Sequence, residues 1–173
     1  MSLVKLIETS HLIDWSKCHN GLMLCTLEQA HELMPEVMPI IDPIKHLLLH
    51  YAIDVKVHKL MPGQNPSIPN WHYDFRPRDP LNRPSKYIKD ETPMYLWVSG
   101  APLTEFKDDT VLPNTWYMFN RDDLHRGVEA TDFCWRGFIR AIPKSFIHPG
   151  TKNVGEVRRH SQVYIKNYDG FTW

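Results

Sequence analysis

A mainly β chain, folded as an antiparallel sandwich or barrel with short helices ahead of it, is what this sequence predicts. Three observations carry that expectation. After Tyr51 the runs YAIDVKVHKL, PMYLWVSGA, NTWYMFN and CWRGFIRAIP are short and rich in β-branched and aromatic residues, the composition that packs on a pleated surface. Gly and Pro clusters separate them, in MPGQNPSIPN, RPRDPLNRP, VLPN and IHPG. No segment of helical period lies between consecutive runs, which disfavours parallel strand–helix–strand units.

Ahead of Tyr51 the signals are helical. Thr26-Leu27-Glu28-Gln29 has the spacing of a capping box, with Thr26 as N-cap and Gln29 three residues on, so a short helix should start there. Pro35, Pro39 and Pro43 fit a helix's first turn but not its interior, so PEVMPIIDPIKHLLLHY reads as one or two short helices covering an apolar face that includes Leu47, Leu48 and Leu49. The expected organisation is a single domain over 1–173: a mainly helical buttress over 1–50, a β core over 51–143, and a C-terminal extension over 144–173. That extension carries Arg158-Arg159-His160 and a last strand in QVYIKNY.

Composition narrows the class of function. The 173 residues are 42% hydrophobic, enough for one ordinary core. Twenty basic and twenty acidic residues balance, so net charge points neither to nucleic acid nor to a membrane surface. The cysteines, Cys18, Cys25 and Cys134, form no C-x-x-C pair, which argues against a disulfide framework and a structural zinc site. With no long apolar run, the expectation is a cytoplasmic protein without a membrane span.

The stretch NWHYDF bears the chemistry. In extended chain, side chains alternate faces, so His72 and Asp74 point one way and Tyr73 and Phe75 the other. An imidazole and a carboxylate on one face suit a single metal ion, and a second imidazole completes the two-His-one-carboxylate set that leaves open positions on iron(II). With 10 His and 20 acidic residues, about one such pairing arises by chance, so the rest of the chain must decide. The best second imidazole is His125, between the strands TWYMFN and CWRGFIRAI. His46 and His50 sit in a helical run, while His58, on a strand near the loop leading to His72, competes more strongly. On the last long strand Arg136, Phe138 and Arg140 share a face, and a guanidinium there can grip a carboxylate by two parallel hydrogen bonds.

The order HKLMPG, His72-x-Asp74, His125, Arg136 resembles the iron(II)- and 2-oxoglutarate-dependent oxygenase superfamily across roughly residues 51 to 143. The resemblance implies a double-stranded β-helix, a jelly-roll or cupin-like barrel, with the N-terminal helices buttressing one sheet. It implies that His72, Asp74 and His125 are the iron ligands and the catalytic centre. It also makes Arg136 the anchor of the far carboxylate of 2-oxoglutarate, with Arg140 as the alternative anchor or a holder of substrate. Tyr51, Trp97, Ser99 and Tyr117 are candidates by position for steadying the near end. The implied reaction consumes dioxygen and 2-oxoglutarate, releases succinate and carbon dioxide, and hydroxylates a substrate.

The basic loop at 76–89, with Arg76, Arg78, Arg83, Lys86 and Lys89 against Asp79, suits an anionic substrate or a solvated surface. Nucleic acid is neither implied nor excluded, because no DNA-binding motif accompanies these charges. Trp71, Trp97, Trp116 and Trp135 read as wall or core aromatics. Two other readings stay open: a cupin-like metal enzyme that does without 2-oxoglutarate, and a non-enzymatic jelly-roll binding protein in which the three ligands never converge.

Overall fold

The computed structural model describes residues 3–75 and 91–165. It is mainly β and antiparallel. Among the described residues twelve strands follow in chain order: β1 Val4–Glu8, β2 Gly21–Cys25, β3 Tyr51–Leu60, β4 Gln64–Asn65, β5 Met94–Val98, β6 Thr104–Phe106, β7 Asp109–Thr110, β8 Thr115–Phe119, β9 His125–Gly127, β10 Cys134–Pro143, β11 Glu156–Arg158 and β12 Tyr164–Ile165. Helices α1 (Leu27–Leu33) and α2 (Met38–Ile41) and short 3₁₀ turns lie between β2 and β3.

The large sheet has seven strands in the order β1-β8-β5-β10-β3-β2-β11. Its spine is the pair β3 and β10, ten residues each and in register from Tyr51 opposite Pro143 to Leu60 opposite Cys134. The small sheet, β7-β6-β9, is extended by a single bridge between His72 and His125, and β4 pairs separately with β12. No barrel closes among the described residues.

The helices cover one face of the large sheet. Ala30, Met34, Val37, Ile40, Ile41, Ile44 and Leu48 pack there against Leu22, Ile53, Val55, Trp97, Trp116, Ile139 and Ala141. Thr26 makes the expected capping box, its hydroxyl accepting from the Gln29 amide while the Gln29 side chain accepts from the Thr26 amide. Gly137 is obligatory in this layer: a Cβ on it would lie 2.0 Å from the Trp15 ring. The opposite face of the large sheet meets the small sheet through Leu96, Phe106 and Phe119, with Phe138 against them.

Two expectations are corrected, and the first fifty residues hold more than helices: beside the helical turns, Val4–Glu8 and Gly21–Cys25 are strands of the large sheet. The second is a wholly apolar five-residue run that takes the open position beside β3. Of the three leucines expected to cover the core, Leu48 is buried, whereas Leu47 and Leu49 are exposed because the final 3₁₀ turn ends there. Finally, NWHYDF forms no regular strand: its backbone pairs with β9 only at His72, and Phe75 turns into the left-handed region at φ 53°.

Candidate metal centre

The irregular backbone of NWHYDF still delivers His72 and Asp74 to one side, and β9 brings His125 up to them. The amides and carbonyls of His72 and His125 exchange both hydrogen bonds, at 2.9 and 3.1 Å, which fixes the two imidazoles side by side with ring centroids 4.5 Å apart. One ligand atom from each of His72, Asp74 and His125 lies within 4.8 Å of the others, so the group can hold a metal ion. His125 Nε2 stands 3.4 Å from Asp74 Oδ2, and His72 Nε2 stands 4.0 Å from Asp74 Oδ1.

Each ring is steered from behind. His72 Nδ1 lies 2.8 Å from the Asn70 carbonyl and His125 Nδ1 lies 3.0 Å from the Asp123 carbonyl. A carbonyl only accepts, so both Nδ1 atoms carry a proton and donate, which presents each Nε2 toward Asp74 as the ligating nitrogen. Phe106 and Phe119 flank His125 at 5.2 and 5.9 Å.

The charges of the three groups are coupled. Burial pushes the Asp74 carboxyl up, but Arg140, His125 and His72 together outweigh it and hold it well below the usual carboxylate range. Burial lowers His125, yet the hydrogen bond and charge of Asp74 prevail and raise it above an ordinary imidazole. His72, farther from the carboxylate, is lowered by burial. A cation binding here would take the place of the proton that His125 shares with Asp74.

Arg136 and Arg140 both face the cavity that holds the triad, a space of about 150 Å³ between the two sheets. Their partners differ. Arg140 donates in a very short contact to Asp74 and at 3.4 Å to Asp54, and Asp54 in turn takes a very short contact from Arg158. A continuous row of ion pairs thus runs from β11 to the triad. Opposing charges raise the Arg140 guanidinium above its ordinary value despite the burial that lowers it.

Arg136, only 1% exposed, has no carboxylate partner among the described residues. Its guanidinium donates to the Pro102 carbonyl at 3.1 and 3.2 Å and to Thr104 Oγ1 at 2.6 Å. Burial lowers it to about 9, so it remains a cation at neutral pH.

His58 does not join the triad. It sits on β3 opposite Arg136, 1% exposed, and neither ring nitrogen has a hydrogen-bond partner among the described residues. Burial first, then the charges of Arg136 and Lys56, pull it down to about 3; the nearby Gln162 backbone opposes this only weakly. It is a neutral imidazole aimed into the cavity.

Asp54, Lys56 and Thr104 also face this region and were not singled out from the sequence. The signal for the first two was the alternation of Asp54, Lys56 and His58 with Ile53, Val55 and Val57 in one strand; nothing in the sequence marks Thr104. Of the tryptophans, Trp97 and Trp116 are buried as expected, Trp135 is partly buried, and Trp71 lies outside with the Arg126 guanidinium over its ring. Tyr51 and Tyr117 bond elsewhere, to the Pro93 carbonyl and the Leu112 amide, and the Ser99 hydroxyl accepts from Gly137. The predicted basic loop at 76–89 lies outside the described residues.

No protein-family model, curated protein or solved structure matches the chain. Among the described residues no helix is long and apolar enough to cross a membrane.

Proposed function

We propose that the chain is a non-haem iron(II), 2-oxoglutarate-dependent oxygenase built on a double-stranded β-helix. The strand order supports the fold reading. From Tyr51 onward the chain passes repeatedly between the two sheets, with β3, β5, β8 and β10 in the large one and the His72 segment, the β6–β7 hairpin and β9 in the small one, while β4 pairs apart from both. Two layers that exchange strands in this way support the jelly-roll reading.

One observation carries the functional reading: two imidazole Nε2 atoms and a carboxylate converge on one point, beside a buried guanidinium that has no anionic partner among the described residues. The donor set fits iron(II) with positions left open. When bound, iron(II) with 2-oxoglutarate and dioxygen supplies an oxidative decarboxylation, to succinate and carbon dioxide, that is coupled to hydroxylation of a substrate. Everything else falls to the chain. His72 and His125 present Nε2 because their Nδ1 protons are committed to carbonyls. Arg140 keeps Asp74 ionised and turned toward the imidazoles. Arg136, with Thr104 beside it, grips the far carboxylate of the co-substrate, and neutral His58 donates its single N–H to the same group. Arg136 is favoured over Arg140 as the anchor, since Arg140 is already shared between two carboxylates.

The test is spectroscopic. Protein given iron(II) and 2-oxoglutarate without oxygen should develop a weak visible charge-transfer band, and Asp74→Ala should lose it. Arg136→Met should need roughly 10- to 100-fold more 2-oxoglutarate to reach the same band, the worth of a charged hydrogen-bonded anchor. Absence of the band from intact protein with saturating iron would refute the assignment.

A further inference from the structure

We infer that Lys56 forms a second anion subsite, distinct from the Arg136 anchor, which receives the carboxylate of a small primary substrate with an apolar body. Reading that ligand as the primary substrate rests on the proposed oxygenase function; the subsite itself rests on the placement of Lys56.

Lys56 lies on the inward face of β3, opposite Phe138, with its ammonium 5.5 Å from that ring's centre. It lines the triad's cavity and also a neighbouring cleft of about 260 Å³, and Arg140 is the other cationic side chain shared by the two. The cleft is therefore next to the triad, on the Arg140 side of it.

The pairing of charges leaves Lys56 over. The two spaces are lined by four cationic side chains, Lys56, Arg136, Arg140 and Arg158, and by two carboxylates, Asp54 and Asp74. Arg158 and Arg140 are taken up by Asp54 and Asp74 in the row of ion pairs. That leaves Arg136 and Lys56. Lys56 has neither a hydrogen bond nor an ion pair among the described residues. Burial first, then Arg140, lowers its ammonium to about 8, which still leaves it mostly charged at neutral pH. A partly buried cation without a counter-ion is costly unless a ligand supplies one. The far carboxylate of the co-substrate is assigned to Arg136, Thr104 and His58, which leaves this ammonium for another anion.

The cleft's shape adds the body of the ligand. Leu24, Phe75, Phe146 and Ile147 line it, and the rings of Phe75 and Phe146 stand 6.4 Å apart, tilted by 37°. An apolar group seated among these side chains places an attached carboxylate at Lys56. One ammonium is a point charge that suits one anionic group. The volume suits a small molecule or a single side chain rather than a folded surface.

Phenylacetate is the probe and phenylacetamide, its neutral isostere, the control. Calorimetric titration of protein carrying redox-inert zinc(II) and saturating 2-oxoglutarate should show phenylacetate bound, and phenylacetamide bound about tenfold more weakly or worse. Lys56→Met should weaken phenylacetate by a similar factor and leave phenylacetamide unchanged, while Lys56→Arg retains the preference for the acid. If Lys56→Met fails to fold, the acid-to-amide ratio in the parent and in Lys56→Arg decides. Equal binding of acid and amide overturns the subsite. So does displacement of the probe by 2-oxoglutarate, which would give Lys56 to the co-substrate. If 2-oxoglutarate itself does not bind, the oxygenase reading falls, and the same titrations with zinc(II) alone still decide the subsite.

Discussion

Replacing His58 by Leu should remove a definable part of the protein's pH dependence of stability. In the folded chain His58 is neutral down to about 3, whereas an exposed imidazole in the unfolded chain has its ordinary value of 6.5. Between those values only the unfolded state binds the proton. Stability therefore rises with pH across this window, and it is lost as pH falls from 6.5 toward 3. One proton contributes at most about 1.4 kcal/mol per pH unit, so lowering the pH from 6.5 to about 5 should cost the parent roughly 1–2 kcal/mol more than His58→Leu. The assay is urea unfolding of both proteins at each pH, with a chelator present. Carboxylates and the raised His125, whose own contribution has the opposite sign, are common to both proteins and cancel in the difference. At neutral pH the variant should be as stable as the parent or more so, since it removes two buried nitrogens that have no hydrogen-bond partner among the described residues. Equal pH slopes in the two proteins would refute a neutral, buried His58.

Gly137→Ala should destabilise the fold by about 3 kcal/mol, read as a lowered urea midpoint, because the added methyl meets the Trp15 ring in a filled core. Thr26→Ala should lose about 1 kcal/mol, measured in the same way, as the α1 capping box opens. Arg158→Met should cost roughly 3 kcal/mol, since it leaves one oxygen of the buried Asp54 without its partner, and it should weaken metal binding measured by titration because Arg140 then turns further toward Asp54.

The long strands were legible because their partners are. YAIDVKVHKL and CWRGFIRAIP each carry enough alternation to be placed, and they pair over their full length. So was the helix start at Thr26, where the local hydrogen bonds of two side chains leave little to tertiary context. The small sheet was not legible. TEF, DT and HRG are too short for any period to show, and they are strands only because each lies beside the next. VKLIE was hidden for a different reason: four of its five residues are exposed, so no buried face is written into it. In the site, residue types that ligate metals or grip carboxylates could be named in advance. Asp54, Lys56 and Thr104 could not, because their importance depends on which face of a sheet turns inward. That is decided by the helices covering the other side.

The two walls of the triad's cavity also differ in stiffness. Lys56, His58, Arg136 and Arg140 stand on the two ten-residue strands at the middle of a seven-stranded sheet. His72 and His125 stand on a lone bridge and a three-residue strand. Amides of the first group should exchange with solvent only on global unfolding, whereas those of the second should exchange through small local openings. The side chains proposed to bind anions thus belong to the unyielding wall and the two ligating imidazoles to the compliant one. An ion held by His72 and His125 across from Asp74 would act as a rivet, slowing exchange in the small sheet while leaving the large sheet as it was.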